Sequence, residues 1–121
     1  MYVESFKQPI VWQKAMVFVK TVYAATAKLP QSEQYGLVSQ MRRAAVSIPS
    51  NIAEGKKRST RKDFKQFLHI AEGSAAELET QLLLAKELYN GIDFSASEQL
   101  LCEVQKMLAA MNQKLSLKAK S

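Results

Sequence analysis

Apolar side chains recur every third or fourth position along most of the chain, and the recurrence breaks where Gly or Pro intervenes. That spacing lines one face of an α-helix, since each residue turns the chain by about 100°. Four segments are legible, over residues 9–29, 34–55, 60–90 and 96–117. The first follows Pro9, a residue favoured in an opening helical turn, and ends before Pro30. Trp12, Ala15, Met16, Val19, Val22, Tyr23 and Thr26 form its predicted inward stripe. In the second, Leu37, Met41, Ala44, Ala45, Ile48 and Ile52 keep one phase to Gly55 although Pro49 lies among them. A proline there removes a backbone hydrogen bond and crowds the preceding turn, so the spacing predicts one kinked helix; a break at Ser47, a capping residue, is the alternative.

Thr60 with Asp63 three residues on has the form of a capping box and opens the third and longest helix. Its stripe is Phe64, Phe67, Leu68, Ala71, Ala75, Leu78, Leu82, Ala85 and Tyr89, and Asn90-Gly91 is its stop. Ser95 or Ser97 starts the fourth, with Leu100, Leu101, Val104, Met107, Leu108, Met111 and Leu115 inward and Lys118 to Ser121 expected to fray. No stretch alternates apolar and polar as a strand does. The pattern therefore predicts an all-α protein, an antiparallel up-down four-helix bundle in one domain over residues 1–121.

The helices carry more apolar surface than one core uses. Ile70, Ala76, Leu83 and Leu84 lie outside the main stripe of the third helix, and Val38, Val46, Pro49 and Ala53 lie beside that of the second. Such surface points to self-association, with Val38, Val46, Ile70, Ala76, Leu83 and Leu84 as interface candidates. Wide stripes are also ordinary in the central helices of a bundle.

Charge changes the picture next. The chain of 121 residues holds 17 Lys and Arg against 11 Asp and Glu, a net charge of +6. Residues 1–70 carry 12 of these cations and 4 of the acids, so the positive charge is concentrated in the first part. Lys56, Lys57, Arg58, Arg61, Lys62 and Lys65 fall within ten residues that straddle a loop and a helix start. A helix start offers unpaired N–H groups and a positive dipole end, so cations there converge on a phosphate-binding geometry. Arg42 and Arg43 are further candidates. A Lys-rich loop also serves as a plain solvated connection. The segment lacks interleaved aromatics for base stacking, because Phe64 and Phe67 belong to the core stripe. Nucleic acid bound here would be held by salt-sensitive phosphate contacts with weak sequence preference.

Candidate chemistry is sparse. One Cys and one His exclude an intrachain disulfide and a four-ligand zinc site, and no metal or cofactor is expected. His69 and Glu72 share a helix face, and such a pair can move a proton, but no nucleophile or further charged partner sits at a recognisable spacing. The pair reads as a local surface contact, and Glu77 and Glu79 as solvated or intersubunit charges. Cys102 lies opposite the fourth helix's stripe, exposed or at an interface. No apolar run approaches the roughly 18 residues of a membrane span and no signal-peptide pattern opens the chain, so the cytoplasm is the expected compartment and no membrane partner is expected.

The stretch Tyr35–Gly55, YGLVSQMRRAAVSIPSNIAEG, resembles the bacterial four-helix bundle proteins known as the 23S rRNA intervening-sequence family. Val11–Ala15 (VWQKA) and Phe67–Leu82 (FLHIAEGSAAELETQL) agree with it. The resemblance implies a homopentamer, and more distantly a likeness to the accessory variability proteins of diversity-generating retroelements, where a basic pentamer associates with a reverse transcriptase and nucleic acid. It supplies no catalytic residue. The chain departs from the family pattern at Lys56-Lys57, where a small or aromatic residue and a second glycine are expected, and the loop is correspondingly more cationic. The expected function is a non-enzymatic homo-oligomer that binds RNA or DNA through Lys56, Lys57, Arg58, Arg61, Lys62, Lys65, Arg42 and Arg43. An oligomeric scaffold for a partner enzyme such as a reverse transcriptase is the alternative.

Overall fold

The computed structural model describes residues 9–120, the last three by backbone alone. Among them are four long helices and no strand: α1 (Ile10–Thr26), α2 (Ser39–Lys56), α3 (Arg61–Leu88) and α4 (Ser95–Lys120). α1 packs on α2, α2 on α3, α3 on α4 and α4 back on α1, so the helices close around one core. Phe18, Val22, Met41, Ile48, Ile52, Leu68, Leu78, Val104 and Leu108 are its large, fully buried side chains. The fraying expected from Lys118 falls where α4 still has helical backbone to Lys120; Ser121 and the side chains of 118–120 lie outside the described residues.

The inward stripes of α2, α3 and α4 follow the periodicity; that of α1 does not. The core takes Val11, Ala15, Phe18, Val22, Ala25 and Thr26, while Met16 and Tyr23 are exposed and Trp12 and Val19 sit at the rim. The helix is thus rotated by about 60° from the predicted phase at about 100° per residue. Both faces of α1 are apolar, so its own sequence contains two overlapping stripes. Packing against α2 and α4 selects the one that holds Phe18.

The entry to α2 also differs from the prediction. Between α1 and α2 the chain makes a 3₁₀ turn at Gln31–Glu33 and a wide π-type turn at Gln34–Val38, and regular α-helix begins only at Ser39. Gly36 leaves the helical region within that turn, at φ −110° and ψ −110°. The turn swings Val38 inward, to 4 % exposure in the core, which removes it from the predicted oligomer interface. A wheel extrapolated backwards from α2 cannot anticipate this, because the helical period does not hold through a π-type turn. Glu33 fastens the turn: one carboxylate oxygen accepts from Leu37 N at 3.3 Å, the other from Tyr89 Oη at 2.5 Å. That bond holds the Tyr89 phenol above its ordinary pKa.

α2 then continues through Pro49 to Lys56 without the alternative break at Ser47. Ser47 Oγ lies 2.8 Å from Ser74 Oγ on α3, and Asn51 Nδ2 donates to Ser47 O at 2.8 Å. α3 starts as expected, with Thr60 Oγ1 accepting from Asp63 N at 3.1 Å. It ends at Leu88, with Tyr89 as the capping position and no positive φ at Gly91. At the start of α4, Ser95 N donates to Asp93 Oδ1 at 2.9 Å, and hydrogen bonding from Ser95 holds that carboxyl below the usual carboxylate range.

Candidate nucleic-acid interface

The hairpin between α2 and α3 closes tightly because of Gly55. A Cβ there would lie 2.8 Å from Phe67 Cβ and 2.9 Å from Phe64 Cδ1, so only glycine lets the first turns of α3 approach the end of α2. The connection is short: Lys57 N and Arg58 N donate to Glu54 O and Gly55 O at 3.3 and 3.1 Å, and Thr60 caps α3. Four residues therefore turn the chain, and the basic cluster is concentrated on one end of the bundle.

Phe64 and Phe67 are half-buried, and they do more than fill the core. Lys56 Nζ lies 5.9 Å from the centre of the Phe64 ring, and the Arg58 guanidinium 4.8 Å from that of Phe67. A cation over an aromatic face gains about 0.5–1 kcal/mol at exposed sites, enough to bias where these two charges sit. Arg58 also donates to Glu54 Oε1 at 2.9 Å, an exposed pair of small energetic weight. Lys57, Arg61 and Lys62 are exposed beside them, Arg61 and Lys62 in the first turn of α3, and half-buried Lys65 follows one turn on. Six cations thus share one hairpin with Glu54 and Asp63 opposing them.

Arg42 and Arg43 do not join that cluster. They lie fourteen and thirteen residues before Lys56 along α2, about 20 Å away at 1.5 Å per residue. Arg42 is engaged with α1: its Nε donates to Thr26 Oγ1 at 2.9 Å, its Nη2 to Tyr23 O at 3.2 Å, and its guanidinium lies 4.4 Å from the Tyr23 ring centre. The predicted binding set is therefore two sets, one at each end of α2. Arg43 is exposed beside a groove that also contains Tyr23 and Tyr35, two aromatic residues the sequence reading did not connect with binding. The α1 periodicity points Tyr23 inward, and Tyr35 lies within the turn whose shape the helical period does not reveal.

The remaining candidates behave as neighbours of one another. His69 Nδ1 lies 3.2 Å from Glu72 Oε1, and Glu72 also accepts from Asn112 Nδ2. Glu77 accepts from Gln81 and Glu79 from Gln105, so the three carboxylates diverge rather than converge. Among the described residues no group of three or more His, Cys, Asp or Glu is placed to hold a metal. Cys102 is exposed.

Of the interface candidates other than Val38, Val46, Ile70, Ala76, Leu83 and Leu84 are all exposed. They occupy different faces. Val46 lines a groove of about 320 Å³ between α1 and α2 with Trp12, Met16, Val19, Pro49 and Ala53. Leu83 lines another of about 300 Å³ between α3 and α4, beside Cys102.

A family model described as 23S rRNA-intervening sequence protein matches residues 7–111. The chain belongs to this family. A solved structure from the S23 ribosomal protein family of Bacteroides thetaiotaomicron, a protein with unknown function, superposes with a TM-score of 0.75. It is 24 % identical, over 85 % of this chain and 98 % of that one, and it shares the fold. Comparison with curated proteins finds no match. Within the family sequence that runs from residue 7 to residue 111, the α2–α3 hairpin and both grooves are included. No helix among the described residues is long and apolar enough to cross a membrane.

Proposed function

We propose that this member of the intervening-sequence family is a non-enzymatic, cytoplasmic homo-oligomer that binds nucleic acid through phosphate contacts at the α2–α3 hairpin. The observation that carries the reading is the hairpin itself. Gly55 brings two phenylalanine rings under Lys56 and Arg58, and the same close approach sets Arg61 and Lys62 beside them at a helix N-terminus. Cations held near one another before a polyanion arrives lose less side-chain freedom on binding. Contacts of this kind carry no base code, so affinity falls steeply with salt and varies little with sequence. The family's description refers to an intervening sequence of 23S rRNA, which makes structured RNA the first ligand to test, with duplex DNA beside it.

The exposed apolar side chains support self-association as part of the same reading. The α1–α2 groove and the α3–α4 groove lie on opposite sides of the helix ring, and a contact between unlike faces makes not a twofold dimer but a ring when its rotation closes and a filament when it does not. A ring, pentameric by family resemblance, repeats a moderate basic site around one polyanion and gains avidity without new contacts. The exposed apolar faces equally suit an accessory scaffold that docks a partner enzyme such as a reverse transcriptase.

Fluorescence anisotropy of labelled RNA against nuclease-treated protein, across a salt series, tests the proposal. The expected result is micromolar or tighter binding with a log–log salt slope of several units. Replacing Lys56, Lys57, Arg58, Arg61 and Lys62 by neutral residues lowers both affinity and slope. Unchanged binding by that variant moves the site elsewhere. A protein partner retained after nuclease and high salt favours the scaffold.

A further inference from the structure

We propose that the groove between the C-terminal end of α1 and the start of α2 is a stacking site for an unpaired base of single-stranded nucleic acid. Tyr35 is its platform and Arg43 its phosphate contact. The inference rests on the nucleic-acid reading above for the class of polymer, and on separate residues for the site.

Tyr35 is 94 % exposed. A tyrosine ring carries a large apolar surface and is ordinarily at least half covered, so a ring left almost wholly in water is one whose surface the isolated chain does not use. Nor is it on a loose tail. The turn that carries it is tied on one side by the Glu33 carboxylate to Leu37 N, and on the other by the same carboxylate to Tyr89 at the end of α3. The ring therefore projects from a fixed backbone position.

What stands around it has the chemistry that unpaired bases meet in proteins. Tyr23 lies in the same groove with the Arg42 guanidinium 4.4 Å from its ring centre. That guanidinium is itself held in place by Thr26 Oγ1 and Tyr23 O. Aromatic rings and arginine planes are the two surfaces on which splayed-out bases stack. Gln34 and Ser39 line the groove and supply donors and acceptors for a base edge, exposed Arg43 supplies a cation for the adjoining phosphate, and no carboxylate lines it. The space is about 440 Å³. That lies within the roughly 300–1,000 Å³ of small-ligand sites. Duplexes keep their bases stacked and paired, so this site selects single strands while the hairpin accepts any phosphate backbone.

The two ligands that separate these roles are a labelled oligouridine and a labelled RNA duplex with the same number of phosphates, titrated at one salt concentration. Tyr35→Ala is expected to weaken the oligouridine by roughly fivefold to a hundredfold, the range one stacked base contributes. Duplex affinity should stay within about twofold, and Tyr35→Phe, which keeps the ring, should retain oligouridine affinity. The melting temperature checks that the variants fold, which is expected of a side chain with almost no packing. An equal loss on both ligands, or no loss on either, overturns the stacking site. So does a fall in molar mass by light scattering, which would make Tyr35 a contact between copies. If the hairpin-neutralised protein loses affinity and Tyr35→Ala does not, the proposed function stands and the stacking site falls. If the unmodified protein binds neither ligand, both fall.

Discussion

Two glycines in this chain have opposite roles, and the difference is set by what surrounds each Cα. Gly55 faces Phe64 and Phe67 at distances that leave no room for a methyl group. Gly73, in the middle of α3, has nothing within 4 Å of where a Cβ would sit. Gly55→Ala should therefore destabilise the protein by about 1–3 kcal/mol, the usual cost of overpacking, and should open the hairpin that holds Lys56 and Arg58. Gly73→Ala should stabilise by about 0.5–1 kcal/mol through helix propensity alone. Urea denaturation of the two variants checks both signs. A destabilised Gly73→Ala would mean that another copy packs on this face of α3. The sequence marked Gly55 as the end of a helix but not as a point of close approach. Its constraint comes from residues 9 and 12 positions later that reach it only through the fold.

At the scale of elements, legibility followed how local each signal was. The Thr60 cap was readable because its partner Asp63 lies three residues away. The stripes of α2, α3 and α4 were readable because their opposite faces differ in polarity. The phase of α1 was not, since Phe18 and Met16 lie on two apolar faces of similar strength. Nor was the turn at 31–38, whose anchor joins Glu33 to a residue 56 positions away. The basic residues of the candidate site were legible as a cluster. Their division into a hairpin group and an Arg42–Arg43 group was not, because it depends on which cations the bundle itself engages. The corrected phase can be checked directly. Phe18 is fully buried and Met16 is exposed, so Phe18→Ala should cost about 3–5 kcal/mol in urea unfolding. Met16→Ala should cost much less when measured at concentrations low enough to dissociate any assembly. Equal costs would restore the predicted stripe.

For the whole molecule, the placement of exposed apolar side chains decides what kind of assembly is open to it. Val46, 40 % exposed, belongs to the α1–α2 groove, and Leu83, 54 % exposed, to the α3–α4 groove. A twofold dimer joins a patch to its own copy, whereas a ring joins one patch to a different one on the next subunit. The two cases diverge under mixing. Val46→Glu and Leu83→Glu each place a charge that a ring contact would bury without a partner, so in a ring each variant alone should fail to assemble. In a ring that joins the groove to α3, each variant retains the face the other has lost, and an equimolar mixture should form one intact junction and run as a heterodimer in native mass spectrometry. With self-complementary patches, each variant would instead keep whatever homodimer its unmodified patch supports, and mixing would add no heterodimer. Leu83→Glu, which lies outside both the hairpin and the Tyr35 groove, should also lower RNA affinity and the salt slope together although no cation has been removed, because the hairpins would then bind singly. A variant that loses assembly and keeps its full salt slope would show that one +6 chain accounts for the binding.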